Sequence, residues 1–358
     1  MKKINIIEVR KKLNRLLKES RTAGKRQSCA LCGDSSCAFC NSHSIPQLVL
    51  RKIAIDGKVL HPSAIVLNEE LSRKTDFDAT EYVDSEKGIG NSWTFHSICR
   101  SCDSKYFSDY ENIDALGEPL TNRMMAEIAL KNVLLQLDKR AIEVQLYSLM
   151  QSEKHNIEGK EILDATQSLD IRDFEFERRR AQKIIDKGLK SGYHLIYWKK
   201  LPYTVPYALQ SGIALEKDMN GHIVVDTANL SPDLRIEDMH IIVFPLDSES
   251  IVAVFYHKDD RKYAPFEKAF NRLTEEKKLS FINYIGLKYT ENICASPVLG
   301  QVISSHERLS HLIAETLESP GFGMWNFWEK LTYSPVMEDE IPNLLSESYS
   351  IETLEGKK

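Results

Sequence analysis

Six of the seven cysteines stand in three pairs of equal spacing within the first third of the chain: Cys29-x2-Cys32, Cys37-x2-Cys40 and Cys99-x2-Cys102. A C-x2-C step lets a backbone knuckle aim two thiolates at one ion, and two such knuckles complete a tetrahedral zinc site. No other feature restricts the fold as strongly, because the chain between two knuckles must leave one point and return to it. The seventh cysteine, Cys294, lies between Ile293 and Ala295 and reads as a small buried hydrophobe.

Six paired thiols exceed one tetrahedral site. One arrangement joins Cys29 and Cys32 to Cys99 and Cys102; the other closes Cys29, Cys32, Cys37 and Cys40 into a self-contained ring. Only four residues separate Cys32 from Cys37, a tight loop for such a ring, and the ring would leave Cys99 and Cys102 without partners. The first arrangement is therefore preferred, with Cys37 and Cys40 as an alternative pair or part of a second site.

At 358 residues, with 42% hydrophobic and 28% charged content, the chain has room for two or three domains and a substantial core. No apolar run approaches the ~18–20 residues of a membrane span, and the N-terminus lacks the apolar stretch of a secretory signal. The expected location is the cytoplasm, where paired cysteines serve metals rather than disulfides. The net charge of −5 hides an asymmetry: ten Lys or Arg against two Glu in residues 1–28, a balance of +8. Lys11, Lys12, Lys25 and Arg26 are the candidate phosphate contacts of this basic arm. The alternative is a solvated helix face.

Residues 4–20 carry Val9, Leu13, Leu16 and Leu17 on one stripe, which predicts an amphipathic helix ended by Thr22-Ala23-Gly24. The cysteine-rich segment follows: Leu48 to Ala54 suits a helix or a strand, Val59-Leu60-His61-Pro62 and Ala64 to Leu67 look extended, and Thr75 to Asn91 reads as a loop. Met125, Ala129, Val133, Leu137, Ala141 and Val144 predict one helix of about seven turns. A second helix is expected over Asp164 to Leu189, stopped at Ser191-Gly192. Strands are expected at His194–Trp198, His222–Val225, His240–Phe244 and Ser250–Tyr256, with hairpin turns at Asn220-Gly221 and Asp247–Glu249. Pro265 to Tyr289 returns to helical spacing. Trp198, Tyr203 and Tyr207 are expected in a core, and Met324–Trp328 seals a core or forms a docking segment. No P-loop, dinucleotide fingerprint, G-x-S-x-G or H-E-x2-H motif is present, which removes the nucleotide-binding and hydrolase classes those motifs mark.

The segment His43-Ser44-Ile45-Pro46 follows the first knuckle, and Cys99-Arg100-Ser101-Cys102-Asp103 follows later. This layout resembles the HNH, or ββα-metal (His-Me finger), nucleases, over residues 27–112. In that family a knuckle precedes a strand bearing H-x-I-P, and a second C-x2-C opens a helix that reaches a catalytic metal. The resemblance implies a zinc-stabilised ββα-metal or treble-clef-like N-terminal module; with the helical and strand patterns above, the expected fold is of α+β class, with a helical connector and a C-terminal mixed α+β domain after that module. The boundaries are a basic helix at 1–26, the zinc module at 27–118, the connector at 119–191 and a sensing or partner-binding domain at 192–358. A second resemblance is to bacterial proteins that pair an HSI segment with F-x3-C-x2-[HC]-D-x3-F-x3-E, here Phe95, Cys99, Cys102, Asp103, Phe107 and Glu111. It implies no activity.

What the HNH resemblance implies is phosphodiester hydrolysis. His43 would be the base, Asp103 a ligand of a catalytic Mg²⁺ or Mn²⁺, and Asn41, Asn91, His96 and Glu111 further candidates for that ion, while Zn²⁺ is structural. Ser42 stands where the family often has Asp or His. Asp103, Phe107 and Glu111, four apart, would share one helix face. The function expected is a metal-dependent endonuclease acting on nucleic acid, DNA by preference, in the setting of anti-phage defence or restriction. The alternative is a non-catalytic zinc module that binds nucleic acid or docks a partner protein, or a second copy of itself, with no membrane involved.

Overall fold

The computed structural model describes residues 6–75, 84–153, 159–316 and 336–356. Lys2, Lys3 and the Met324–Trp328 cluster lie outside them.

The architecture is a mixed α and β one, organised on an antiparallel sheet of seven strands. In chain order the elements are α1 (Ile6–Ala23), β1 (Ser42–His43), α2 (Gln47–Ile53), β2 (Lys58–Leu60), α3 (Pro62–Thr75), β3 (Glu86–Gly88), β4 (Thr94–Phe95) and α4 (Arg100–Tyr106). There follow α5 (Asn122–Ser152), α6 (Lys160–Lys187), β5 (Tyr193–Leu201), β6 (Tyr207–Ile213), β7 (Met239–Pro245) and β8 (Ser250–His257). Then come α7 (Tyr263–Phe270), α8 (Glu275–Tyr289), β9 (Ile293–Ala295), α9 (Gly300–Ser305) and α10 (Glu307–Glu315). The large sheet runs β3-β2-β9-β6-β7-β8-β5, and β1 pairs separately with β4.

Strands β7 and β8 are buried at every residue, because helices cover both faces of the sheet. Side chains alternate between faces along a strand. Ala208, Ile242, Phe244, Ala253 and Phe255 therefore join one core with α5 and the cysteine-rich segment, whereas Leu209, Ile241, Val243, Val252 and Val254 join another with α7, α8 and α10. Such double burial explains why the strands read as apolar runs. Gly286 on α8 is required by this packing, since a Cβ there would stand 2.8 Å from Leu209 Cδ1.

Helix α5 is buried at every residue from Met124 to Leu135, so it is a central helix rather than a surface one. Thr121 caps it by accepting the Met124 N–H, and it extends to Ser152. Helix α6 stops at Gly188, in the left-handed region at φ 58°, four residues before the expected stop. Leu16 of α1 is buried, as its stripe anticipated.

Several expectations need correction. Ala64 to Leu67 is not extended but helical: Pro62 fills the first turn of α3, and the Ala64 and Ile65 amides bond to the His61 carbonyl. Within Thr75 to Asn91, residues 86–88 form β3 and 89–91 a 3-10 turn. His222–Val225 makes an isolated bridge between Lys217 and Ile223, not a strand, although the turn at Gly221 forms. Ile223 is 71% exposed, and the Val224 and Val225 amides still bond to the Glu216 and Leu215 carbonyls, but the pairing does not grow into a regular strand. Tyr207 is buried as expected, donating from its hydroxyl to Asn283 Oδ1. Cys294 is buried, also as expected.

Helix α6 is tied to the sheet by buried charge. Asp260, fully buried, accepts from Arg180 Nη1 at 2.7 Å and also from Arg235. Glu177 accepts the Tyr193 hydroxyl at 2.6 Å and pairs with Arg180. Burial opposes the charge on Glu177, but His240 and Arg180 outweigh it and hold its carboxyl down at about 2. Asp260→Ala would take a fully buried carboxylate from two guanidinium groups, leaving Arg180 with Glu177 alone, so a loss of about 3–5 kcal/mol is expected in urea unfolding. A change below about 1 kcal/mol would show that these arginines find other partners.

Candidate functional site

The first knuckle closes around Gly33, whose φ of 75° lets its amide reach back to the Cys29 carbonyl at 2.9 Å. The second opens α4, with Cys99 at its N-cap and Cys102 in its first turn. Backbone bonds hold the two together: Ala30 N to Ser97 O at 2.9 Å, Cys40 N to Ile98 O at 3.1 Å and Arg100 N to Ala38 O at 3.0 Å. The Cys99 amide also points at Cys29 Sγ, 3.4 Å away.

In consequence the sulfurs of Cys29, Cys32, Cys99 and Cys102 lie within 4.8 Å of one another. This is the preferred arrangement of the two, and the set suits a metal ion such as zinc. Cys99 and Cys102 do not ionise alike. Burial raises Cys99, but the Ser101 hydroxyl and the Cys102 amide outweigh it and bring it down to about 6; burial and its thiol neighbours push Cys102 up. Bound as thiolates, the four could hold a metal ion such as zinc between them. Cys37 and Cys40 stand outside the cluster. Their thiols donate to the carbonyls of Asp34 and Ile98, and both are pushed up to about 11, each chiefly by burial.

The pairing of β1 with β4 sets Ser42 opposite Phe95 and His43 opposite Thr94, immediately ahead of the second knuckle and α4. Ser42 Oγ donates to Asp103 Oδ1 at 2.6 Å. His43 points elsewhere: its Nε2 lies 3.0 Å from the Ile89 carbonyl, so that nitrogen carries the proton. Burial lowers the affinity of His43 for a second proton, which keeps the ring neutral near pH 7. Asn41 Oδ1 accepts from His96 Nδ1 at 3.0 Å, and the His96 ring stacks on Phe39. Asn91 is exposed in the 3-10 turn that carries Ile89.

Asp103 and Glu111 do not share a helix face, because α4 stops at Tyr106. Phe107 leaves helical geometry, and the amides of Asp109 and Tyr110 turn to the carboxylate of Glu127 on α5, at 3.1 and 3.0 Å. That detour brings Glu111 back beside Asp103, and both carboxylates meet Lys131. Its ammonium bonds to Glu111, lies 3.6 Å from Asp103 Oδ1 and sits 4.2 Å from the Phe107 ring centroid. The three residues of the D-x3-F-x3-E segment thus surround one lysine that is 1% exposed. Sequence reasoning missed Lys131; the one signal for it is a pair of charges, Glu127 and Lys131, inside an otherwise apolar helical run.

Beside Glu111 opens a cleft of about 390 Å³ lined by Leu48, Arg51, Lys52, Glu111 and Asn112. The charges of Asp103, Glu111 and Lys131 all act on His43. Even so, among the described residues the converging group of three or more Cys, His, Asp or Glu ligand atoms is the four cysteines. The basic arm is partly neutralised: Lys12 pairs with Glu153 at 3.4 Å and Arg26 with Glu175 at 3.2 Å, while Lys11 and Lys25 are exposed. Among the described residues no helix is long and apolar enough to cross a membrane.

No protein-family model, curated protein or solved structure matches the chain.

If the cluster holds zinc, the purified protein should carry about one equivalent by plasma mass spectrometry, one ion per four thiolates. Cys99→Ser and Cys102→Ser should lose it, whereas Cys37→Ser and Cys40→Ser should keep it. Equal zinc in all four variants would remove this ligand set.

Proposed function

We propose that this chain binds nucleic acid through an HNH-like module whose four thiolates hold a structural zinc. The observation that carries the reading is the order of parts around the thiols. A knuckle leads to a strand bearing His43, that strand pairs with β4, and the second knuckle then opens a helix. This order is compatible with the ββα arrangement that the resemblance implies, with α2, β2, α3 and β3 inserted between β1 and β4, and modules of that family act on phosphodiester chains. Arg51 on the cleft, and Lys11 and Lys25 on the basic arm, supply positive charge for phosphates.

Binding is favoured over hydrolysis because the candidate carboxylates are engaged. Asp103 is held by Ser42 and Lys131, Glu111 by Lys131, and His43 faces a backbone carbonyl. A second reading, metal-dependent nicking with His43 as base, draws on one observation: burial keeps His43 neutral within reach of the Asp103 and Glu111 charges.

One set of measurements separates the two. Binding to a DNA duplex, followed by fluorescence anisotropy, should weaken with salt, and Lys11→Ala with Lys25→Ala should reduce the slope of log K against log salt by about 1.8. Lys12→Ala and Arg26→Ala should matter less, those cations being paired already. His43→Ala should leave binding unchanged. Absence of salt-dependent binding to DNA and to RNA would end the nucleic-acid reading. Nicking in Mg²⁺ or Mn²⁺ that His43→Ala abolishes, with zinc content intact, would replace binding by hydrolysis.

A further inference from the structure

A buried ammonium lies between two carboxylates. Lys131 bonds to Glu111, lies 3.6 Å from Asp103 Oδ1 and has only 1% of its side chain exposed. Its long stem runs out of α5, a helix locked by burial on every side from Met124 to Leu135, so the charge is delivered by a rigid element. The ring of Phe107 faces the ammonium at 4.2 Å and that of Tyr110 at 5.7 Å, a cation–π lining that suits an organic cation. Ser42 Oγ fills a further position on Asp103 at 2.6 Å. The carboxylates are only partly covered, with 29% of the Asp103 side chain and 36% of that of Glu111 exposed, and Glu111 also lines the open cleft.

We propose that Lys131 is a tethered cation that stands in for a divalent metal on Asp103 and Glu111. The wild-type module therefore has no Mg²⁺ or Mn²⁺ site there, and removing the ammonium creates one. Hard divalent cations need oxygen ligands at about 2.0–2.6 Å and a net negative site. With Lys131 in place the three groups carry a net charge of −1; without it the two carboxylates carry −2, against Arg51 and the Asp247-paired Lys52 on the wall of the cleft that Glu111 lines. The inference stands on this geometry alone, independent of nucleic-acid binding.

Mn²⁺ binding to the full-length, zinc-loaded protein, read by electron paramagnetic resonance, tests it. The wild type should show no Mn²⁺ site that Asp103→Asn or Glu111→Gln removes. Lys131→Met, which keeps the length of the stem, should gain such a site, with affinity at least about tenfold above wild type. Lys131→Met with Asp103→Asn should lose it again. Lys131→Met that is destabilised but recovers its melting temperature on adding Mn²⁺ also supports the proposal. A wild-type Mn²⁺ site dependent on Asp103 overturns it, as does a Lys131 variant, folded or not, that Mn²⁺ neither binds nor stabilises. Loss of DNA binding in the wild type would bear on the nucleic-acid reading and leave this result untouched.

Discussion

The cysteine-rich segment reaches its shape by closing on a buried charge. Moving a lysine out of water costs several kcal/mol, and the cost is met only where partners surround the ammonium. Lys131 obtains them from Asp103 in the first turn of α4, from Glu111 beyond its end and from the Phe107 ring between. Four residues earlier on the same helix, Glu127 is fully buried and accepts the amides of Asp109 and Tyr110. Helix α5 thus acts as a template: its two charges dictate where α4 ends and how the chain after it turns.

The thiols and α5 then divide the work. The two knuckles register β1 against β4 and fix the start of α4, whereas α5 fixes its end. Ser42 links the two halves, since it sits on β1 and donates to the carboxylate that Lys131 holds. On this account Ser42 is no defect in a metal site. A carboxylate at that position would face Asp103 directly and leave Lys131 with too little positive charge for three anions. The serine hydroxyl instead adds a donor where a donor is needed.

How much of this was legible in the sequence follows from what periodicity records. The apolar stripe through Met125, Val133 and Leu137 revealed α5; the C-x2-C pairs marked the candidate thiols, and the short loop between Cys32 and Cys37 favoured joining Cys29 and Cys32 to Cys99 and Cys102. Lys131 was invisible because a lysine on a helix reads by default as a solvent-facing residue, and its partners arrive from elsewhere in the chain. The four-residue steps of Asp103, Phe107 and Glu111 did signal proximity, but through a helix that in fact stops at Tyr106. Convergence on a common partner preserved the relation. The short strands β2, β3 and β9 were hard to read for a different reason: three residues cannot establish a two-residue period, and their pairing depends on neighbours far along the chain. Ala64 to Leu67 misled because four apolar residues fit a strand and a helix equally; Pro62 was the local feature that should have decided it.

The same economy of polar contacts governs how the helices sit on the sheet. Apolar packing is non-directional, so it leaves the angle of a helix on a sheet loosely specified. Here Asn132, the residue after Lys131, donates to His240 Nδ1 at 3.2 Å, and His240 in turn faces Glu177 of α6 at 3.8 Å. Gly212 on the paired strand leaves room for that histidine, since a Cβ there would stand 3.2 Å from its Nδ1. Adjacent residues of α5 therefore address different bodies: Lys131 holds the cysteine-rich segment, and Asn132 fixes the sheet and, through His240, α6. Lys52 on α2 adds a second tie between cleft and sheet by pairing with Asp247 in the turn after β7. Since each of these contacts is directional, the orientation of the His43 segment relative to the sheet is set by hydrogen-bond geometry rather than by burial alone. A ligand entering the cleft beside Glu111 would meet a wall already positioned from both sides, so little ordering of α2 or α5 would be charged against its binding.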